Sequence, residues 1–155
     1  MLEAREIGFQ NLSEIIDIKV LPCQEKYVAS NAVTVAQFHY EPSAWMRGLW
    51  DGDTAIGLIA MINPLVESPS FEEGDPDDGG YLWRLMIGVD HQGKGYGRAA
   101  MQVAFDQARA WGFDKLYTST VQGENSPQVF YEKLGLSVTG RMVCTEVEMV
   151  GPIPK

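Results

Sequence analysis

The sequence predicts a mixed α+β protein built on one central sheet, and three stretches carry that expectation. "RGLWDGDTAIGLIAMI" (residues 47–62) sets two apolar runs on either side of Asp51-Gly52-Asp53, the mark of a tight hairpin between antiparallel strands. "YLWRLMIGV" (81–89) is apolar along most of its length, as a strand buried on both faces is. From Gly97 the period changes. Met101, Ala104, Phe105, Ala108 and Trp111 follow i, i+3, i+4, i+7 spacing, and Gly112 stands where the helix must stop. Strands interleaved with amphipathic helices in this order define a mixed sheet protein.

The remaining elements follow in chain order. "NLSEIIDIKVL" (11–21) and "CQEKYVASNAVTVAQF" (23–38) read as short helices separated by Pro22. After the hairpin, "ESPSFEEGDPDDGG" (67–80) is too rich in Pro, Gly and acids for a helix or strand interior, and reads as a long exposed loop. "LYTSTV" (116–121) has the β-rich composition of a further strand. "ENSPQVFYEKLG" (124–135) marks a short helix, with Asn125 and Ser126 as caps, Pro127 near its first position and Gly135 after its last turn. The tail "GLSVTGRMVCTEVEMV" (135–150) reads as two strands around Thr139-Gly140.

Composition limits the function. With 155 residues, 45% of them hydrophobic, the chain fits one domain, residues 1–155, with enough apolar material for a core. The start "MLEAREIGFQ" lacks the apolar region of a signal peptide, and no window approaches a membrane span, so a cytoplasmic protein is expected. Cys23 and Cys144 lie far apart, which suggests neither a zinc site nor a disulfide framework; His39 and His91 have no ligand partners at metal spacing. A net charge of −9 disfavours a nucleic-acid partner and favours a cationic one, although acidity also serves simply to keep a protein dispersed.

The stretch "VDHQGKGYGRAAM" (89–101) places Gly93, Gly95 and Gly97 just ahead of the long helix. Successive amides with no Cβ in the way, at a helix N-terminus, make an anion-binding cradle suited to a pyrophosphate. A P-loop is excluded, because G-x-x-x-x-G-K-[ST] does not occur. Gly95-x-Gly97-x-x-Ala100 satisfies the dinucleotide fingerprint, but "LYTSTVQ" ends in Val121-Gln122 where the ribose-binding acid should stand.

Taken whole, Gln92-Gly93-Lys94-Gly95-Tyr96-Gly97 matches Q-x-x-G-x-G and resembles the GNAT superfamily of acetyl-CoA-dependent N-acetyltransferases. The likeness extends over residues 81–142, through "YLWRLMIGV", the following helix, "LYTSTV" and "ENSPQVFYEKLGL"; "CQEKYVASN" with "YLWRLMI" resembles the spermine/spermidine (polyamine) branch. The resemblance implies a mostly antiparallel sheet whose central strands splay apart and are flanked by helices, with acetyl-CoA as cosubstrate and no metal. It implies that the backbone of Leu85, Met86 and Ile87 pairs with the pantetheine arm. The backbone N–H groups of Gly93, Lys94, Gly95, Tyr96, Gly97 and Arg98 would hold the pyrophosphate, with Lys94 or Arg98 as charge contacts and Gln92 and Asn125 completing the cofactor site. Tyr131, six residues after Asn125, matches the tyrosine that protonates the leaving thiolate.

An alkyl ammonium is almost wholly charged at neutral pH, so something must take its proton. Related polyamine enzymes place a glutamate where this chain has Trp83, so no base is assigned; an ordered water, Glu25, Glu41 or an acid of the 72–78 loop are the options. Glu25 and the cluster Glu72, Glu73, Asp75, Asp77, Asp78 would line an acidic cleft for a polyamine. Another small amine (an aminoglycoside or an amino acid) and a non-catalytic acetyl-CoA-binding module are the other readings. Domains of this kind often form homodimers, and "MVCTEVEMV" could supply the edge.

Overall fold

The computed structural model describes every residue from Met1 to Lys155. Its strands are β1 (Leu2–Arg5), β2 (Ala44–Asp51), β3 (Thr54–Ile62), β4 (Gly80–Ile87), β5 (Lys115–Thr120), β6 (Ser137–Val143) and β7 (Glu146–Pro152). The helices are α1 (Leu12–Ile16), α2 (Asn31–Phe38), α3 (Tyr96–Ala110) and α4 (Gln128–Glu132). All seven strands form one sheet in the order β1-β2-β3-β4-β5-β7-β6, antiparallel throughout except for the parallel β4–β5 pair. No helix is long and apolar enough to cross a membrane.

The sheet is apolar on both faces because its central strands are. In β3, Ile59 and Met61 pack with α3 residues Met101, Ala104 and Phe105, while Leu58 and Ala60, pointing the other way, pack with Ile15 of α1. Met101 is fully buried and Phe105 3% exposed, and each such side chain contributes roughly 2–3 kcal/mol of burial. Four of the five residues predicted for the buried face of α3 lie in the core, and Trp111 caps the helix end, half-buried.

The β4–β5 pair positions the functional region. Gly80, Tyr81 and Leu82 pair with Leu116, Tyr117 and Thr118, and there the pairing ends. On its other side β4 stays paired to β3 as far as Ile87, so a fork opens between β4 and β5. A bulge marks the divergence: Ala60 faces Arg84 and Met61 faces Leu82, leaving Trp83 as the extra residue. At the apex the Thr118 hydroxyl donates to the Leu82 carbonyl at 3.1 Å, taking the acceptor that the parting strands leave free.

Three expectations are corrected. Residues Leu2–Arg5 form an edge strand that the sequence pattern does not announce, since four residues at an edge carry little alternation. The segment 23–38 is not one helix: a 3₁₀ turn over Pro22–Gln24 and a loop precede α2, whose N-cap is Ser30 accepting from the Val33 amide at 3.3 Å. The C-terminal hairpin turns between Val143 and Glu146 rather than at Thr139-Gly140. Gly140, with φ +90°, lies instead at an irregularity within β6, and its left-handed conformation serves a bulge where a turn was expected.

Candidate active site

A cavity of about 1000 Å³ fills the fork. Its floor is β4. Because the Gly88 amide donates to Ile56 O at 2.9 Å, alternation along β4 turns the amides of Leu85 and Ile87 away from β3 and into the fork. At the end of β4 the Ile87 amide is thus the donor turned to the fork, while that of Gly88 is spent on β3.

One wall is the loop entering α3. Gly93 and Gly95 have φ of +73° and +86°, with nothing within 4 Å of where a Cβ would stand. Left-handed glycines here turn the chain so that successive amides face one way. From Gly93 through Arg98 no amide donates to a protein acceptor; the first committed one is Ala99, bonded to Gly95 O at 3.2 Å. Six unpartnered N–H groups, at the positive end of a fifteen-residue helix, fit a diphosphate. The geometry that suits the expected pyrophosphate therefore lies in the backbone.

The predicted cofactor residues divide by where their side chains go. Leu85, Met86, Ile87, Gln92, Gly93, Gly95, Gly97, Arg98 and Asn125 all line the cavity. Lys94 and Tyr96 do not: Lys94 Nζ turns back to Asp90 O at 2.7 Å, and the Tyr96 hydroxyl donates to Asp51. Gln92 is held in a reciprocal amide pair with Gln24 (2.9 and 3.0 Å), and its Nε2 also donates to Ile87 O at 3.0 Å. Asn125, with φ +60°, lies in the loop before α4, where Ser126 Oγ accepts from the Gln128 amide at 3.1 Å.

Tyr131 of α4 reaches the same cavity from below and is 7% exposed. Burial pushes its phenol up to about 12; the Thr118 hydroxyl opposes that, and Tyr81 and Glu146 add to it. The phenol therefore keeps its proton throughout the neutral range. Glu25 approaches from the segment 20–29, which is fastened across the opening by Gln24 to Gln92 and by the Tyr27 hydroxyl to Glu124 O.

The acidic loop is placed differently from the predicted lining. Glu72, Asp75 and Asp77 border a second, smaller cavity of about 330 Å³, which shares Trp83 with the first; Glu73 and Asp78 border neither. Asp75 pairs with Arg141 and Asp78 with Lys115 and Tyr117. Glu41 is taken by Ser43 (2.6 Å) and Ser70, and its carboxyl is held low because these hydrogen bonds outweigh the burial that pushes it up. Arg84, half-buried, stacks its guanidinium 4.9 Å over Trp83, and burial lowers its pKa.

Sequence reasoning missed Tyr81, Ser119 and Glu146. The Tyr81 hydroxyl lies 2.6 Å from Ser119 Oγ, which is bonded in turn to Glu146, and both Ser119 and Glu146 line the large cavity. The available signal was a carboxylate at the start of an apolar strand, "EVEMV". No group of three or more His, Cys, Asp or Glu side chains is placed to hold a metal ion.

A family model described as the acetyltransferase (GNAT) family matches residues 12–136. No curated protein matches by sequence. Among solved structures, an acetyltransferase from Thermus thermophilus superposes with a TM-score of 0.70 at 17% identity, covering 98% of this chain and 97% of that one. An aminoglycoside 6'-N-acetyltransferase complexed with coenzyme A gives 0.71 at 17% identity, covering 100% and 98%. A PaiA N-acetyltransferase from Thermoplasma acidophilum in complex with coenzyme A gives 0.66 at 15%, covering 98% and 99%.

Proposed function

The chain belongs to the GNAT family and is an acetyl-CoA-dependent N-acetyltransferase, and from that premise we propose that it acetylates a primary amine of a small polycation, a polyamine such as spermidine or spermine. The observation that carries the reading is that Glu25 and Glu146 face one cavity from separate elements, in a chain of net charge −9. A polycation offers one nitrogen for reaction and others to be held, and carboxylates around the opening raise its local concentration.

Acetyl-CoA, when bound, supplies an activated acetyl thioester; the chain supplies placement and protons. In this reading the amides of Gly93 to Arg98 hold the pyrophosphate, with the Arg98 side chain adding charge; Lys94 would have to leave Asp90 O to do so. Gln92 secures the loop through Gln24 and Ile87, and Tyr96 anchors the helix start on Asp51, so both act through backbone position. Leu85 and Ile87 present main-chain groups to the pantetheine arm, whereas those of Met86 are turned to β3, and Asn125 completes that wall. Tyr131 is the proton donor to the leaving sulfur, and Glu25 holds a remote ammonium. The reading further takes residues 1–155 as one catalytic domain, cytoplasmic, and a homodimer through the β6–β7 hairpin, where Val138 and Met142 are exposed.

Thiol release from acetyl-CoA, followed across spermidine, spermine, shorter diamines, aminoglycosides and amino acids, is the test. Turnover of the polyamines is expected; turnover confined to other amines would reject the substrate. An aminoglycoside is the second reading, favoured by the fold's likeness to aminoglycoside 6'-N-acetyltransferases.

A further inference from the structure

The acceptor amine arrives as an ammonium, and the β4 position at which the resemblance to polyamine enzymes implies a proton-accepting glutamate holds Trp83. Most other nearby acids are engaged: Glu41 by serines, Asp75 by Arg141, Asp78 by Lys115 and Tyr117. Glu146 is placed otherwise. It lies at the first residue of β7, lines the cavity with Tyr131, and its only side-chain hydrogen bond comes from Ser119, to Oε2.

Ser119 has one hydroxyl proton and gives it to Glu146, so the Tyr81 hydroxyl is the donor in the 2.6 Å contact with Ser119. Two hydrogen bonds thus run in series across β4, β5 and β7 and converge on one carboxylate, leaving Oε1 free. The groups that face Glu146 are Tyr81 and Arg84 from β4, Ser119 from β5 and Tyr131 from α4; Glu148, two residues along β7, is bonded to Thr139 and Arg141. Arg84 is the cation among them.

We propose that Glu146 is the catalytic residue that takes the proton from the substrate ammonium, with Ser119 and Tyr81 as positioning residues that aim its carboxylate into the cavity. One N–H bond of the ammonium breaks, its electron pair stays on nitrogen as the nucleophilic lone pair, and the proton bonds to Oε1. Release of that proton to solvent restores the carboxylate. The assignment rests on the acetyl-transfer reading and adds to it the base that the sequence left unassigned.

The test is the pH profile of kcat/KM for Glu146→Gln, with spermidine or whichever amine of the panel the wild type turns over. A loss of about 100-fold is expected at neutral pH. Because the uncharged fraction of an alkyl amine rises about tenfold per pH unit below its pKa, the deficit should shrink by about that factor per unit as pH is raised. Ser119→Ala should show the same signature in milder form, Glu146→Asp should recover part of the activity, and coenzyme A affinity by calorimetry should be unchanged in all three. A deficit that is constant with pH, or below about threefold at neutrality, overturns the assignment. If Glu146→Gln fails to fold, Ser119→Ala and Glu146→Asp carry the same pH criterion. A wild type that acetylates amines other than polyamines overturns the substrate alone, and one that acetylates none overturns both.

Discussion

Tyr131 is where burial and chemistry meet in one side chain. Desolvation raises its hydroxyl to about 12, so it keeps its proton throughout the neutral range, as the proposed role requires. Tyr131→Phe is expected to lower kcat by about 100-fold while leaving coenzyme A binding intact, as steady-state rates and calorimetry would report; unchanged turnover would remove the phenol from the mechanism. The same burial has a thermodynamic consequence. Tyr81 and Tyr131 both stand near 12 in the fold, above the ordinary 10.0, so their neutral forms favour the folded state. That contribution is whole below pH 10 and is lost as pH climbs from 10 to 12, amounting to about 3 kcal/mol per phenol. The part of the phenolate absorbance that Tyr81→Phe or Tyr131→Phe removes should appear only as circular dichroism reports unfolding; its appearance well ahead of unfolding would contradict their burial.

Among the elements, the loop into α3 carries the sharpest test. Gly93→Ala meets no steric obstacle, so its cost is the left-handed φ alone, about 1 kcal/mol in urea unfolding. The larger expected effect is on coenzyme A, whose affinity should fall at least about tenfold as the cradle relaxes; unaltered affinity would move the anion elsewhere. This loop and α3 were legible because glycine spacing and a 3.6-residue period are local signals. The same holds for β3, β4 and the DG hairpin. What escaped depends on pairing between distant segments: β1 is defined only by lying against β2, the bulge at Trp83 only by register with β3, and Gly140 looks like a turn until β7 is placed beside it. Glu146 escaped for the same reason, since nothing within "TEVEMV" indicates that Ser119 and Tyr81 will meet it. Conversely, Lys94 and Tyr96 fall within the motif, but their side chains leave the cavity: the nearby Asp90 carbonyl takes Lys94, and Asp51, at the end of β2, takes Tyr96.

At the scale of the whole molecule, the net charge of −9 should be felt by a polycation before it arrives. Raising ionic strength from about 0.01 M to about 0.15 M shortens the Debye length from roughly 30 to roughly 8 Å, so KM for spermidine is expected to rise several-fold with kcat little changed. A salt-independent KM would place recognition in short-range contacts instead. The sheet also sets a length scale. Its pairing stops at Leu82 and Thr118, and five residues of bare strand, Trp83 to Ile87, extend from there to the glycine cradle. At 3.3 Å per residue that edge is about 16 Å long. In the proposed reading it would act as a ruler between a phosphate anchor and a proton-transfer centre, so a thioester carried on a shorter tether would be gripped at one end and fall short at the other.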